Sequence, residues 1–257
     1  MNIVTLGEHD VPLAIETESL RKEYGDTVAV TGLSLRVESG SVYGFLGPNG
    51  AGKTTTMRML TTLTAPTSGR ARVAGASIED RASVTSRIGF LPDVPPLYDE
   101  LTAREQLRYA GGIRDLPAET IRERVSALLD RFELSDDADR RLGEYSRGMR
   151  KRVGLIQILL HDPDVVFLDE PTSGLDPRSA RTMRRVIEDL ADDETTVFLS
   201  SHLLTVVEAL ADRVGVIQDG RLVTEGPLDA VKREAQRDGE SEGLEAAFLE
   251  MTEGRSE

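Results

Sequence analysis

The pattern of apolar and polar positions changes character twice along the chain, and each change marks a change of element. Leu13–Thr17 and Leu33–Val37 alternate in the manner of half-buried strands. Val42–Leu46 is a short apolar run that enters a glycine-rich loop and then a threonine-rich helix start. Arg70–Val73 and Arg87–Leu91 predict two further short strands. From about Leu101 to Leu160 the pattern turns helical. Ile121, Val125, Leu128, Leu129 and Phe132 recur at helical spacing, and Pro117 stands where a helix would begin. Strands return at Val165–Leu168 and Thr196–Leu199, apolar runs bounded by turns, as parallel strands buried on both faces are. Between them Arg178–Leu190 predicts the crossover helix of a βαβ unit. Val214–Gln218 and Arg221–Thr224 flank Asp219-Gly220, a strong hairpin signal. Arg237–Gly243 predicts a polar linker and Leu244–Met251 a short apolar cap.

Composition narrows the function classes. A chain of 257 residues holds one large α/β domain, or a core domain with one inserted lobe. No basic-then-apolar leader opens it, and no apolar run approaches the ~20 residues needed to span a bilayer. A soluble chain is expected, whose membrane role would need a partner subunit. Cysteine is absent, which excludes disulfides and thiolate metal sites. His9, His161 and His202 are too scattered to suggest a histidine zinc site. The net charge of -14 argues against a general nucleic-acid partner, because phosphate backbones attract basic surfaces. Lysine occurs only at positions 22, 53, 151 and 232. An acidic, lysine-poor chain fits a salt-rich cytoplasm, where screening shortens self-repulsion. It fits a GC-rich genome with an ordinary acidic surface as well.

The chemistry concentrates at two places. Gly47-Pro48-Asn49-Gly50-Ala51-Gly52-Lys53-Thr54, followed by Thr55, fits a phosphate-binding P-loop between a predicted strand and a predicted helix. Its glycines let backbone N–H groups turn toward phosphate oxygens, and the helix adds its positive N-terminal end. Lys53 adds a point charge, and the Thr54 hydroxyl can ligate Mg²⁺. Farther on, the strand Val165–Leu168 delivers Asp169 and Glu170 at its C-terminal edge, where ligands of parallel sheets collect. Asp169 is placed to hold Mg²⁺ through water, and Glu170 to take a proton from the attacking water. The long interval between Lys53 and Asp169 leaves room for an inserted helical lobe. With no Asn-Lys-x-Asp guanine-reading sequence present, ATP is favoured over GTP.

These motifs, in this order, resemble those of ABC-type ATPases from about Leu13 to Glu225. In that resemblance Ser173-Gly174-Leu175-Asp176 matches the D-loop, with Asp176 facing the opposite subunit, and Ser200-Ser201-His202 matches the switch histidine that contacts the γ-phosphate. Tyr24 resembles the aromatic that stacks on adenine. The family signature Leu-Ser-Gly-Gly-Gln reads here Tyr145-Ser146-Arg147-Gly148-Met149. Ser146, Gly148 and Met149 are then the group that meets ATP held by the other subunit. Arg147 replaces a glycine and either points to solvent or alters closure. Asp93 stands where the family commonly has glutamine, and its oxygen can approach Mg²⁺. The basic run Arg147, Arg150, Lys151, Arg152 predicts a solvated helix face rather than a nucleic-acid patch.

The resemblance implies a RecA-like α/β P-loop core spanning 13–231, with an N-terminal antiparallel β lobe, a helical subdomain inserted at about 93–160, and a C-terminal tail at 232–257. It implies hydrolysis of ATP with Mg²⁺ by a head-to-tail dimer of two copies, or of this chain with a homologous ATPase subunit. The dimer would drive a transmembrane permease from the cytoplasmic face of the membrane. The loop Pro95-Pro96-Leu97-Tyr98 would receive the permease, or else pack locally against the helical lobe. The tail Leu244–Thr252 resembles the ending of ABC-2-type export systems. Translation or DNA-repair ABC proteins are expected to show paired cassettes, long coiled coils or zinc-binding cysteines, and none is found in this sequence. A small-molecule kinase would leave Ser146–Met149 and Ser173–Asp176 without an account.

Overall fold

The structure, a computed structural model, describes residues 12–237. The apolar cap at Leu244–Met251 and the tail resemblance at Leu244–Thr252 lie outside the described residues. The first half of the chain forms β1 (Leu13–Tyr24), β2 (Thr27–Leu33), β3 (Arg36–Glu38), β4 (Val42–Leu46), α1 (Lys53–Leu60), β5 (Ser68–Val73), β6 (Ala76–Ser77), α2 (Arg81–Thr85) and β7 (Ile88–Leu91). A helical stretch follows: α3 (Ala103–Ile113), α4 (Ala118–Arg131), a 3-10 turn at Leu142–Glu144, and α5 (Arg147–Leu159). The remainder is β8 (Val165–Asp169), α6 (Pro177–Asp192), β9 (Thr196–Ser201), α7 (Leu204–Leu210), β10 (Arg213–Gln218), β11 (Arg221–Pro227) and α8 (Leu228–Arg237).

Two sheets organise these elements. The central one runs β11-β10-β4-β9-β8-β7 and is parallel except at the β10–β11 hairpin. The other is antiparallel, in the order β2-β1-β5-β6, with β3 also pairing β1. With α3, α4 and α5 between β7 and β8, this is the RecA-like core with a β lobe and inserted helices that the motifs implied. The helix α8 runs through residue 231, so the boundary expected there falls inside a helix whose Val231 is buried.

The apolar runs of the central strands serve two cores at once. Val42, Leu46, Val166, Leu168, Val197 and Leu199 face the helices, whereas Tyr43, Phe45, Val165, Phe167 and Phe198 face α1 and the β lobe. Successive residues of a strand point to opposite faces, so a continuous run is what a doubly covered sheet requires. On the β-lobe side Phe198 stacks on Tyr43 at 5.2 Å and lies 5.4 Å and 5.6 Å from Phe45 and Phe167. Phe198→Ala is therefore expected to cost about 3–5 kcal/mol of stability, the scale for truncating a buried ring. Urea unfolding measures it. A loss below about 1 kcal/mol would mean the core collapses around the gap.

One strand expectation needs correcting. Leu33–Val37 is not a single strand: β2 ends at Leu33, and β3 begins at Arg36 on a different stretch of β1. Its alternation is genuine, since Leu33, Leu35 and Val37 are all buried. The break is bridged by Thr17, whose hydroxyl donates to the Leu33 carbonyl (3.0 Å) and accepts from the Leu35 N–H (2.8 Å). Burial periodicity carries across a break in hydrogen bonding, so the pattern alone does not show it. At the hairpin, Asp219 and Gly220 both adopt positive φ (47° and 74°), the conformation such a two-residue turn demands.

Candidate nucleotide-binding site

Three parallel strands, β4, β8 and β9, end side by side, with Leu46 paired to Ser201 and Asp169 to Ser200. The loop after β4 therefore meets the carboxylates after β8 and the Ser200-Ser201-His202 run at the end of β9. Pro48, Asn49, Gly50, Gly52, Lys53, Thr54 and Thr55 line a cleft of about 290 Å³ together with Ala29, Asp93, Asp169 and Glu170. Gly52 caps α1 at φ 106°, and a Cβ there would stand 2.6 Å from the Ala29 carbonyl oxygen. Only glycine allows the loop to turn so close against β2. Gly47 and Ala51 complete the loop behind the cleft surface; the Gly47 N–H donates to the Ser201 carbonyl at 3.2 Å.

The charged groups are fixed in relation to one another. Lys53, 6% exposed, donates from Nζ to the Gly47 carbonyl (2.6 Å) and the Pro48 carbonyl (3.1 Å). Its Nζ lies 3.6 Å from Glu170 Oε1. Burial lowers the Lys53 pKa below its ordinary value, with Glu170 and then Asp169 pulling the other way. Asp169 accepts from Thr54 Oγ1 at Oδ2 (3.0 Å) and from Ser200 Oγ at Oδ1 (2.6 Å), which fixes its carboxylate plane. Glu170 holds a left-handed backbone at φ 50°, its N–H shared between the carbonyl and hydroxyl oxygens of Ser200, each at 3.2 Å. The Nδ1 of His202 comes within 2.9 Å of Glu170 Oε1, but off the axis of a hydrogen bond. Glu170 Oε1 is consequently a buried acceptor without a hydrogen-bond partner.

This donor set suits magnesium nucleotide. A loop of N–H groups with a buried lysine matches phosphate, and a hydroxyl beside a carboxylate is the sparse oxygen set Mg²⁺ takes when phosphate and water supply the rest. Among the described residues no cluster of three His, Cys, Asp or Glu could hold a metal without such help.

The other expected residues sit elsewhere. Tyr24 is not among the residues lining the cleft; it stands 47% exposed on the β1–β2 hairpin, with the Lys22 ammonium 5.0 Å from its ring centroid. Ser146 is the exposed N-cap of α5 and accepts the Met149 N–H at 3.2 Å. It too lies outside the chain's own cleft. Gly148 is buried against α6, where a Cβ would stand 2.5 Å from Ser179 Oγ. Asp176 caps α6, accepting the N–H groups of Arg178 and Ser179, each at 3.0 Å. Arg147 does not simply point to solvent: its guanidinium reaches Asp93 Oδ1 at 3.3 Å and covers Gly174, where a Cβ would lie 2.1 Å from Nη1.

The basic run also needs correcting. Arg147 is exposed, but Lys151 is 1% exposed and donates to Asp93 Oδ1 at 3.0 Å and to the Glu170 carbonyl at 2.5 Å. The motifs missed Ala29 and Lys151 at the site, and they included Ser200 without its contact to Asp169. Lys151 had a signal: with Gly148, Leu155 and Ile158 it follows the three- and four-residue spacing of the buried stripe of α5. Its charge concealed it.

Comparison with known proteins agrees with this geometry. Residues 30–173 match the family described as ABC transporter. Over 226 residues the chain is 42% identical to a daunorubicin resistance ATP-binding protein of Streptomyces coeruleorubidus, covering 88% of this chain and 72% of that one. Over 221 residues it is 41% identical to the bacitracin transport ATP-binding protein of Bacillus licheniformis, covering 85% and 71%. A solved ATP-binding subunit of an ABC transporter superposes with a TM-score of 0.83 at 26% identity, covering 93% of this chain and 99% of that one. Motif order, strand topology and relatives agree, and the chain belongs to the ABC transporter family as one of its ATP-binding subunits.

Proposed function

We propose that this subunit hydrolyses ATP to ADP and phosphate as one half of a head-to-tail dimer, and that the cycle drives a separate transmembrane permease, as an exporter. The observation that carries this reading is Glu170 Oε1, a buried acceptor without a hydrogen-bond partner, beside the P-loop lysine and the strand-end aspartate. A lytic water bound there has somewhere to send its proton.

The residues divide the work as follows. The N–H groups of Asn49, Gly50 and Gly52 and the α1 N-terminus bind the phosphates. Lys53 exchanges its contact with Glu170 for phosphate oxygens and so frees the carboxylate. Thr54 Oγ1 and Asp169 would hold Mg²⁺, which neutralises phosphate charge when bound. Glu170 takes a proton from water as the water oxygen bonds to the γ-phosphorus and the bond to the ADP oxygen breaks. His202, beside Glu170, orients toward the γ-phosphate. Tyr24 offers a face for adenine on closure. Asp93 lines the cleft, and its Oδ1 serves Lys151 and Arg147 rather than the metal.

Ser146 supports the dimeric reading because its hydroxyl and the α5 N-terminus stand outside the chain's own cleft, free to meet ATP on a second copy. The D-loop, covered by Arg147 at Gly174, adjoins the same face. Among the described residues no helix is long and apolar enough to cross a membrane; attachment to a permease at the cytoplasmic face rests on relatives named as ATP-binding proteins of transport and resistance. The groove lined by Leu63, Phe90, Ile113 and Arg114, about 270 Å³, offers the permease a partly apolar seat. Export rests on relatives named for drug resistance and bacitracin transport. Phosphate release from ATP is expected to stop when EDTA removes divalent metal and to return with added Mg²⁺. Release that ignores chelation would oppose this assignment of Thr54 and Asp169.

A further inference from the structure

We propose that Lys151 is a positioning residue for Glu170: from inside α5 its ammonium holds the Glu170 carbonyl, and so fixes where the carboxylate of that residue stands. The inference rests on Glu170 being the proton acceptor.

The geometry is unusual in two respects. An ammonium in a packed interior is costly unless paired, and an apolar residue would fill this position of the buried stripe of α5 without that cost. Lys151 is there nonetheless, with Nζ 2.5 Å from the Glu170 carbonyl oxygen and 3.0 Å from Asp93 Oδ1. Asp93 supplies the counter-charge and is itself steadied by Arg147. Burial lowers the Lys151 pKa, and the hydrogen bond to Asp93 opposes that shift, favouring the charged form.

The second respect is the backbone it holds. Glu170 adopts φ 50°, a left-handed conformation that side-chain-bearing residues keep only when their surroundings impose it. Ser200 of β9 imposes it on the amide side. On the carbonyl side the Ser173 N–H at 3.2 Å belongs to the same turn and moves with it. The tie from a separate element is Lys151. Without it the turn can relax, and the carboxylate shifts against Lys53 and His202. The P-loop contacts to nucleotide remain, so the loss falls on turnover and not on ATP binding.

Lys151→Met keeps bulk and removes the donor; Lys151→Gln keeps a donor without the charge. In the full chain, Lys151→Met is expected to lower kcat about 10-fold or more with KM for ATP unchanged within about twofold, since small misplacements of reacting groups cost rates of that order. Lys151→Gln should lose less, and it carries the test if the Met variant does not fold. Differently tagged heterodimers then separate positioning from a general effect on α5. One chain carries Glu170→Gln, so hydrolysis is confined to the other chain's Glu170. Lys151→Met is placed in either chain in turn. The loss should follow the chain whose Glu170 is intact. Loss from the opposite chain would mean that the substitution acts through Ser146 at the start of α5, and would overturn the proposal. So would equal loss from either chain, or a changed KM with unchanged kcat. If Glu170→Gln homodimers still hydrolyse ATP, the fault lies in the reading of Glu170 itself.

Discussion

Replacing Glu170 with glutamine is expected to stop turnover while ATP stays bound. The amide keeps the shape of the carboxylate and can still hydrogen-bond, but it cannot take the proton assigned to the Glu170 carboxylate. Turnover should fall ~10²-fold or more, the usual scale for losing a general base, which corresponds to about 3 kcal/mol or more of barrier. Binding should be little affected, because the phosphates are held by the P-loop and Lys53 and not by Glu170. There is a further consequence. If ATP between two subunits closes the dimer and its cleavage reopens it, the variant should accumulate as an ATP-dependent dimer, visible as a shift in size in solution. Asp169 is not interchangeable with Glu170 here, because both its oxygens are already engaged by Thr54 and Ser200. Near-normal phosphate release from Glu170→Gln would remove the proton acceptor from its assigned place and leave His202 as the next group to examine.

Most of the central sheet was legible because its strands are built on short apolar runs bounded by turns: Val42–Leu46 and Val165–Leu168 correspond to β4 and β8 within one residue. The P-loop and the Asp169–Glu170 pair were legible for a different reason, since backbone phosphate binding and metal holding restrict residue type at fixed spacing. What escaped was decided by tertiary contact. The stretch Thr27–Leu33 became β2 by pairing with β1, and β1 itself runs past Thr17 through a left-handed Ser19, which breaks the alternation that would have revealed it. The place of Lys151 depended on which basic residue of α5 turned inward, and charge alone suggested solvent. Arg147 was equally opaque, because its partners Asp93 and Gly174 are distant in sequence. Asp176 was read for the contact that the family resemblance implies with the other subunit; within the chain, it also caps α6.

The central claim is that each active site is shared, with the P-loop from one subunit and Ser146 from the other. Lys53→Ala removes the cation buried in the chain's own cleft, so monomeric ATP affinity should fall about 10-fold or more as phosphate charge goes uncompensated. Ser146→Ala should leave monomeric affinity nearly intact, because that hydroxyl stands at the start of α5 outside the cleft. Its effect should appear in dimer closure, and hydrolysis should be lost with it. Each variant alone should be almost inactive. Mixed, they form a heterodimer in which one site lacks both groups and the other lacks neither. The decisive measurement is phosphate release from that mixture against each variant alone. Equal random mixing of a two-fold dimer makes about half the dimers mixed, each with one complete site of two, so activity should return to at most about a quarter of wild type. No recovery on mixing, together with equal loss of monomeric ATP affinity in both variants, would contradict the shared site and leave an ATPase complete within one chain.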